Sequence, residues 1–321
     1  MNTSRIALGL ALMVGAVTTS SIAIAQEKFP DKPIEVVIHS KYGGGTDVTA
    51  RMMMIRTRRE LGVDMSVTSQ RGGSGAKAHQ YALGKSRDGY TVLALTQTHL
   101  YTIARGKSPL TIDDVVGVAR AMDDPTFITV SANSPYKSLE DLVAASKNEP
   151  LNWGVAQIGG TEHIGLAQFA KAANIKFKAV PFGSGAQMVQ ALMSGAIVAT
   201  LPNVSEGGPQ VADGTFRALA VLGNKRLKDY PDVPTAKEKG FNVKTSTTRG
   251  YWVLKGTPED RVEMLSKAMV KAMNHDVFVN YLKSAGLTVD DSVAGHEEWT
   301  RQIKEEYANA VEALTDLGLI K

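Results

Sequence analysis

Short apolar and β-branched runs alternate along the chain with stretches of helical periodicity. Ile34 to Ile38, Thr91 to Leu95, Phe127 to Val130, Ile197 to Leu201 and Ala218 to Leu222 have the length and composition of strands, most of them suited to burial on both faces of a parallel sheet. Leu151 to Val155 reads as a further strand. Helix starts are marked between them. Ser138-Leu139-Glu140-Asp141 has capping-box spacing, and Thr257-Pro258-Glu259-Asp260 puts proline at the first helical position, where its missing N–H costs nothing. Val48, Met52 and Ile55, and again Trp299, Ile303 and Leu314, recur at helical spacing. That predicts two core-facing stripes and assigns the methionines at 52–54 to packing rather than metal binding.

Such alternation predicts doubly wound α/β layers, which bind ligands in loops beyond the carboxyl ends of their strands. At 321 residues the chain has the length of two domains. No repeat or Gly/Ser linker separates them, so crossing strands are expected to join them. Residues 26–125 with 243–321 are expected to form the first domain, 126–223 the second and 224–242 a crossover region, with an earlier crossing near Asp124 to Thr126. Residues 1–25 carry one cation, Arg5, no acid, an apolar run from Ile6 to Val17 and the ending Ala23-Ile24-Ala25. This is the pattern of a secretory signal peptide cut after Ala25, its run shorter than the roughly 20 residues of a membrane span. A periplasmic protein is expected.

Composition narrows the chemistry. With 43% hydrophobic and 21% charged residues the chain is ordinarily globular, and no cysteine leaves no disulfide, thiolate zinc site or cysteine nucleophile. A formal charge of +4, evenly scattered, does not advertise a nucleic-acid surface. Gly84-Lys85-Ser86 and Gly106-Lys107-Ser108 have His79 and Tyr101 where a Walker A loop begins with glycine. Ser74 and Ser184 lack the flanking glycine pair of a nucleophile elbow, and the histidines form no His-Glu-x-x-His pair. No catalytic residue, metal or cofactor is expected.

Two loops stand out. Tyr42-Gly43-Gly44-Gly45-Thr46-Asp47 and Gln157-Ile158-Gly159-Gly160-Thr161-Glu162-His163 both read Gly-Gly-Thr-acid between a strand and a helix. Glycines let backbone approach a ligand, and N–H groups at a helix start attract anions. Two such loops in different domains predict a cleft whose opposing walls share one anionic ligand. Asp47 and Glu162 are read mainly as first-turn acids favourable to the helix dipole, and His163 as a hydrogen-bonding residue at a helix start. Arg71-Gly72-Gly73-Ser74-Gly75-Ala76 and Pro181-Phe182-Gly183-Ser184-Gly185-Ala186 add a cation, backbone donors, a ring and hydroxyls.

Phe29-Pro30-Asp31-Lys32-Pro33-Ile34, Gly43 to Asp47, Asp88-Gly89-Tyr90-Thr91, Val180-Pro181-Phe182 with Gly185-Ala186, Arg217 to Val221, Asp232-Val233-Pro234-Thr235 and Gly256-Thr257-Pro258 follow one another in order. Through these landmarks the chain resembles, along nearly its whole length beyond the leader, the periplasmic substrate-binding proteins of tripartite tricarboxylate transporters, the Bug family. The resemblance implies a two-domain clamshell of the type II periplasmic-binding-protein kind that captures a small organic carboxylate, a di- or tricarboxylate or an aromatic acid, and delivers it to a membrane permease. It implies that the loops Tyr42 to Asp47 and Ala156 to His163 hold the ligand carboxylates. The chain departs from the family in His39-Ser40-Lys41-Tyr42, in Gln157-Ile158-Gly159-Gly160 and in Thr248-Arg249-Gly250. Arg249 offers a bidentate partner to a second carboxylate, and Ser40, Lys41, Tyr42, Ser74, Thr96, Gln97, Gln157, Ile158, Phe182, Ser184 and Asn203 complete the candidate ligand readers. Two alternatives stay open: a periplasmic enzyme acting on an organic acid through His163 with Asp47 or Glu162, and a ligand-loaded partner of a sensor kinase ectodomain.

Overall fold

The computed structural model describes residues 28–321, and the leader expected at 1–25 lies outside the described residues. The first half runs β1 (Ile34–Ile38), α1 (Gly45–Leu61), β2 (Met65–Ser69), α2 (Ala76–Leu83), β3 (Thr91–Leu95), α3 (Gln97–Ala104) and β4 (Val115–Pro125). It continues with β5 (Phe127–Ser131), α4 (Leu139–Asn148), β6 (Leu151–Val155), α5 (Thr161–Ala173), β7 (Phe177–Pro181), α6 (Gly185–Met193), β8 (Ala199–Thr200), α7 (Val204–Ala212) and β9 (Phe216–Val221). The last part is β10 (Ser246–Leu254), α8 (Glu259–Met273), α9 (Asp276–Ser284), α10 (Val289–Ser292) and α11 (His296–Asp316).

Two five-stranded sheets result, ordered β2-β1-β3-β10-β4 and β7-β6-β8-β5-β9. In each, three neighbouring strands are parallel and one strand inside the sheet runs against both its neighbours: β10 against β3 and β4, β5 against β8 and β9. The runs around Phe127 and Ala218 are therefore antiparallel, because burial on both faces selects apolar residues whatever the strand direction. The chain leaves the first sheet at Pro125 and enters the second at Phe127. Residues 224–242 lie against the second sheet, where Ala236 is fully buried and Phe241 packs on its core, and the chain re-enters the first sheet at Ser246.

The core beside the first sheet reaches into the second, taking in Phe127 and Val221. Ile34, Val36 and Ile38 pack with α1 and α8 on one face of the first, and Trp153, Phe169 and Leu166 fill the second. The stripe expected on α1 is out of phase. Val48 is exposed and Met52 and Ile55 are half-buried, while Ala50, Met53, Met54 and Thr57 are buried. Three consecutive methionines offer three equally apolar phases, and packing against α8 selects the turn beneath Met53. On α11, Trp299, Ile303 and Leu314 are buried as their spacing predicts. The Trp299 ring lies so close to Gly250 and Gly117 that a Cβ there would come within 2.5 and 2.8 Å of it, which lets α11 lie flat on the first sheet.

Helix starts follow local chemistry. Ser138 accepts the Asp141 N–H at 3.1 Å while Asp141 Oδ2 accepts the Ser138 N–H at 2.9 Å, the reciprocal pair expected. Pro258 sits one position earlier than expected, as the N-cap of α8, and Thr257 Oγ1 donates to the Leu254 carbonyl instead of capping.

Candidate functional site

The two glycine loops share a backbone device. Gly43 and Gly159 take positive φ, +80° and +73°, conformations that disfavour side chains, and each is followed by an extended N-cap glycine, Gly44 or Gly160. In each loop the residue four positions later bonds back: the Gly43 N–H donates to Asp47 Oδ2 at 2.8 Å, and the Gly159 N–H to His163 Nδ1 at 2.9 Å. Accepting at Nδ1 requires a neutral imidazole, and burial, aided by Arg105, lowers the His163 pKa. These bonds hold the turns rigid and use up two of the N–H groups expected to meet a ligand. The Glu162 N–H meets its own carboxyl, whereas the N–H groups of Thr46 and Asp47 on α1 and of His163 on α5 stand in first helical turns with no carbonyl of their own helix to bond. They are the anion-seeking groups of the two walls.

Both helices aim at one inner cavity of about 40 Å³. From the first sheet it is lined by His39, Ser40, Gly44, Gly45, Thr46, Thr96, Thr98, Thr247 and Arg249; from the second by Ala156, Gln157, Thr161, Glu162, Ser184, Gly185 and Glu206. A wider mouth of about 750 Å³ lies outside, bordered by Arg71, Gly72, Gly73, Ser74, Ile158, Phe182 and Gly183 among others. The walls touch. Ser74 Oγ donates to the Ile158 carbonyl at 2.7 Å, Lys41 Nζ to Gln187 Oε1 at 2.6 Å, Arg105 Nη2 to the Gly159 carbonyl at 3.0 Å, and the Gly45 N–H to Glu206 Oε1 at 2.7 Å.

The cavity thus brings together Ser40, Gly44, Gly45, Thr46, Thr96, Gln157, Thr161, Ser184 and Arg249, and the mouth adds Ser74, Ile158 and Phe182. Other expected readers are engaged elsewhere. Tyr42 is exposed and its hydroxyl accepts the Ser69 N–H; Gln97 is tied to Thr248 and Glu306, on the far side of β10; Asn203 Nδ2 holds the Asp124 carbonyl. Lys41, Gly43, Asp47, Gly159, Gly160 and His163 shape the loops from outside the lining. His39, Thr98, Gly185, Glu206 and Thr247 were not among the expected readers. Of these, Glu206 had a legible signal, an acid three residues after Asn203 at a helix start.

Arg249 is not the open fork that its type suggested. It is 4% exposed, and its Nη1 donates to Asp124 Oδ2 and its Nη2 to Asn203 Oδ1 at 3.0 Å. Glu206 Oε2 lies 3.9 Å from Nη2. Burial works against the charge on Arg249, and Asp124 with Glu206 more than restores it. Burial raises the pKa of Asp124 and of Glu206, with Arg249 pulling each back. His39 is held neutral, its pKa lowered to about 3 by burial, His79 and Arg249.

Burial pushes the Glu162 carboxyl up to about 7 against the pull of the backbone N–H groups of Glu162 and Ala156, with Glu206 adding to the rise. A carboxyl raised above its usual 4.5 favours folding below that pH and loses the contribution as pH climbs through about 7. Glu162→Gln is therefore expected to gain up to about 3 kcal/mol over the parent above neutrality and nothing in acid, read by urea unfolding near pH 8 and near pH 4. An equal difference at both pH values would contradict this.

Comparison with known proteins places the site in context. Residues 36–319 match the model of the tripartite tricarboxylate transporter family receptor, TctC. A UPF0065 protein of the gbd 5′ region of Cupriavidus necator is 27% identical, over 98% of this chain and 94% of its own. The protein BugT of Bordetella pertussis is 25% identical, over 90% of each chain. A TctC solute-binding protein from Polaromonas superposes with a TM-score of 0.67 at 27% identity, covering 90% of this chain and 100% of its own.

Proposed function

The chain belongs to the tripartite tricarboxylate transporter receptor family, and on that premise we propose that it captures a small organic carboxylate between its two sheets and presents it, in the periplasm, to a membrane permease. Proteins of this family bind solutes and are not enzymes. The observation that carries the carboxylate is the convergence of two glycine-turned helix starts, α1 and α5, on one cavity.

The physical cycle follows from that geometry. With the walls apart, each helix start is hydrated; a carboxylate reaching both favours the closed arrangement because only there does it meet both sets of N–H groups. Each charge-assisted bond is worth about 1.5–3 kcal/mol, so a handful suffices for micromolar affinity, about −8 kcal/mol. The closed shape is what a permease would read, and export by the leader at 1–25 belongs to the same proposal.

Thermal-shift screening of the purified chain against an organic-acid panel tests this, since a ligand of the native state raises the melting temperature. One or a few acids are expected to raise it without being consumed. No shift with any acid, or conversion of an acid to product, would overturn the proposal.

A further inference from the structure

The charge around the inner cavity does not suit an anion alone. Asp124 and Glu162 are buried in or directly behind its wall, the Glu206 side chain there is 9% exposed, and a single guanidinium, Arg249, answers all three. Arg249 and Asp124 compensate each other through Nη1. Glu206 shares the same cation only at a distance, its Oε2 3.9 Å from Nη2 and its Oε1 accepting the Gly45 N–H, and Glu162 is met by backbone N–H groups, with no ion pair of its own among the described residues. The other nearby basic groups pair with neither Glu206 nor Glu162, because His39 is neutral, Lys41 is bonded to Gln187, Arg105 to the Gly159 carbonyl, and Arg71 borders the outer mouth.

A second observation concerns unpartnered atoms. Ser40 Oγ, Thr247 Oγ1 and His39 Nδ1 are buried, belong to residues lining this cavity and have no hydrogen-bond partner; Gln157 Oε1 is likewise unpaired. Hydroxyl, carbonyl and neutral imidazole atoms can all accept from a cationic N–H group. A dianion would bring yet more negative charge beside three buried carboxyls that share one guanidinium, whereas an ammonium would relieve them.

We infer that the solute is a small zwitterion, its carboxylate held by the first turns of α1 and α5 and its ammonium held by Glu206 and Glu162. This rests on the carboxylate reading of the same cavity and narrows it to an amino-acid-like class.

The test uses calorimetric titration of the purified chain with pairs matched in skeleton: L-aspartate against succinate, and 4-aminobutyrate against butyrate. In at least one pair the amine-bearing member is expected to bind on the order of tenfold tighter or better, and Glu206→Gln or Glu162→Gln to shrink that gap while the amine-free acid keeps or gains affinity. If the amine-free acid binds as tightly or more tightly in every pair, the inference falls and the carboxylate reading stands. If no member of any pair binds, the inference falls, and the organic-acid panel alone decides the carboxylate reading. A preference for the amine that survives both substitutions would remove Glu206 and Glu162 from the assignment. The comparison within the parent protein keeps the inference falsifiable even if a variant folds poorly.

Discussion

Arg249→Ala is expected to destabilise the protein by about 3–5 kcal/mol, because it leaves Asp124 and Glu206 buried without their cation. The side chain is 4% exposed, so solvent does little to screen the loss. Asn203 Oδ1 loses its donor at the same time, and Asn203 in turn holds the Asp124 carbonyl at the passage between the sheets. For a chain of this size the melting temperature should fall by roughly 10 °C. Asp124→Asn in the Arg249→Ala background should recover part of the loss, since it removes the stranded charge, and a double-mutant cycle in urea would show that coupling. A variant as stable as its parent that lost only ligand affinity would return Arg249 to the role of an open carboxylate reader.

Gly44→Ala is expected to cost at least a hundredfold in ligand affinity while changing stability by no more than about 1 kcal/mol. Gly44 has φ −83° and ψ 168°, an extended conformation that alanine adopts freely. Its new Cβ would meet Ser184 Cβ at 2.9 Å, a backbone-anchored atom on the opposite wall. The fold tolerates the methyl group and the meeting of the walls does not. Losing the bonds of one wall, two at about 1.5–3 kcal/mol each, removes about 3–6 kcal/mol of binding. Ser184→Gly opens the space again, so the double variant should recover much of the affinity. Unchanged binding by Gly44→Ala would show that closure of this pair of loops is not needed.

The parts of the site legible in the sequence are those set by local backbone chemistry. Gly43 and Gly159 stood out because only glycine sits comfortably at their positive φ, and their neighbours because a helix must start after such a turn. The parts that were not legible depend on residues far apart in the chain. Nothing around Arg249 reveals that Asp124 and Asn203 reach its guanidinium, and nothing around Gln97 reveals that Thr248 and Glu306 absorb its amide. Fold class was visible from the strand and helix alternation and the family landmarks. Strand direction and the phase of α1 were not, since a buried antiparallel strand and a run of three methionines carry no directional mark.

The most direct test of the account is a crystal structure of the protein bound to the acid that most raises its melting temperature. Carboxylate oxygens are expected about 3 Å, directly or through one ordered water, from first-turn N–H groups on both walls, Thr46 or Asp47 on one and His163 on the other. A carboxylate bound to one wall alone, or a ligand outside the cavity between the two helix starts, would contradict it.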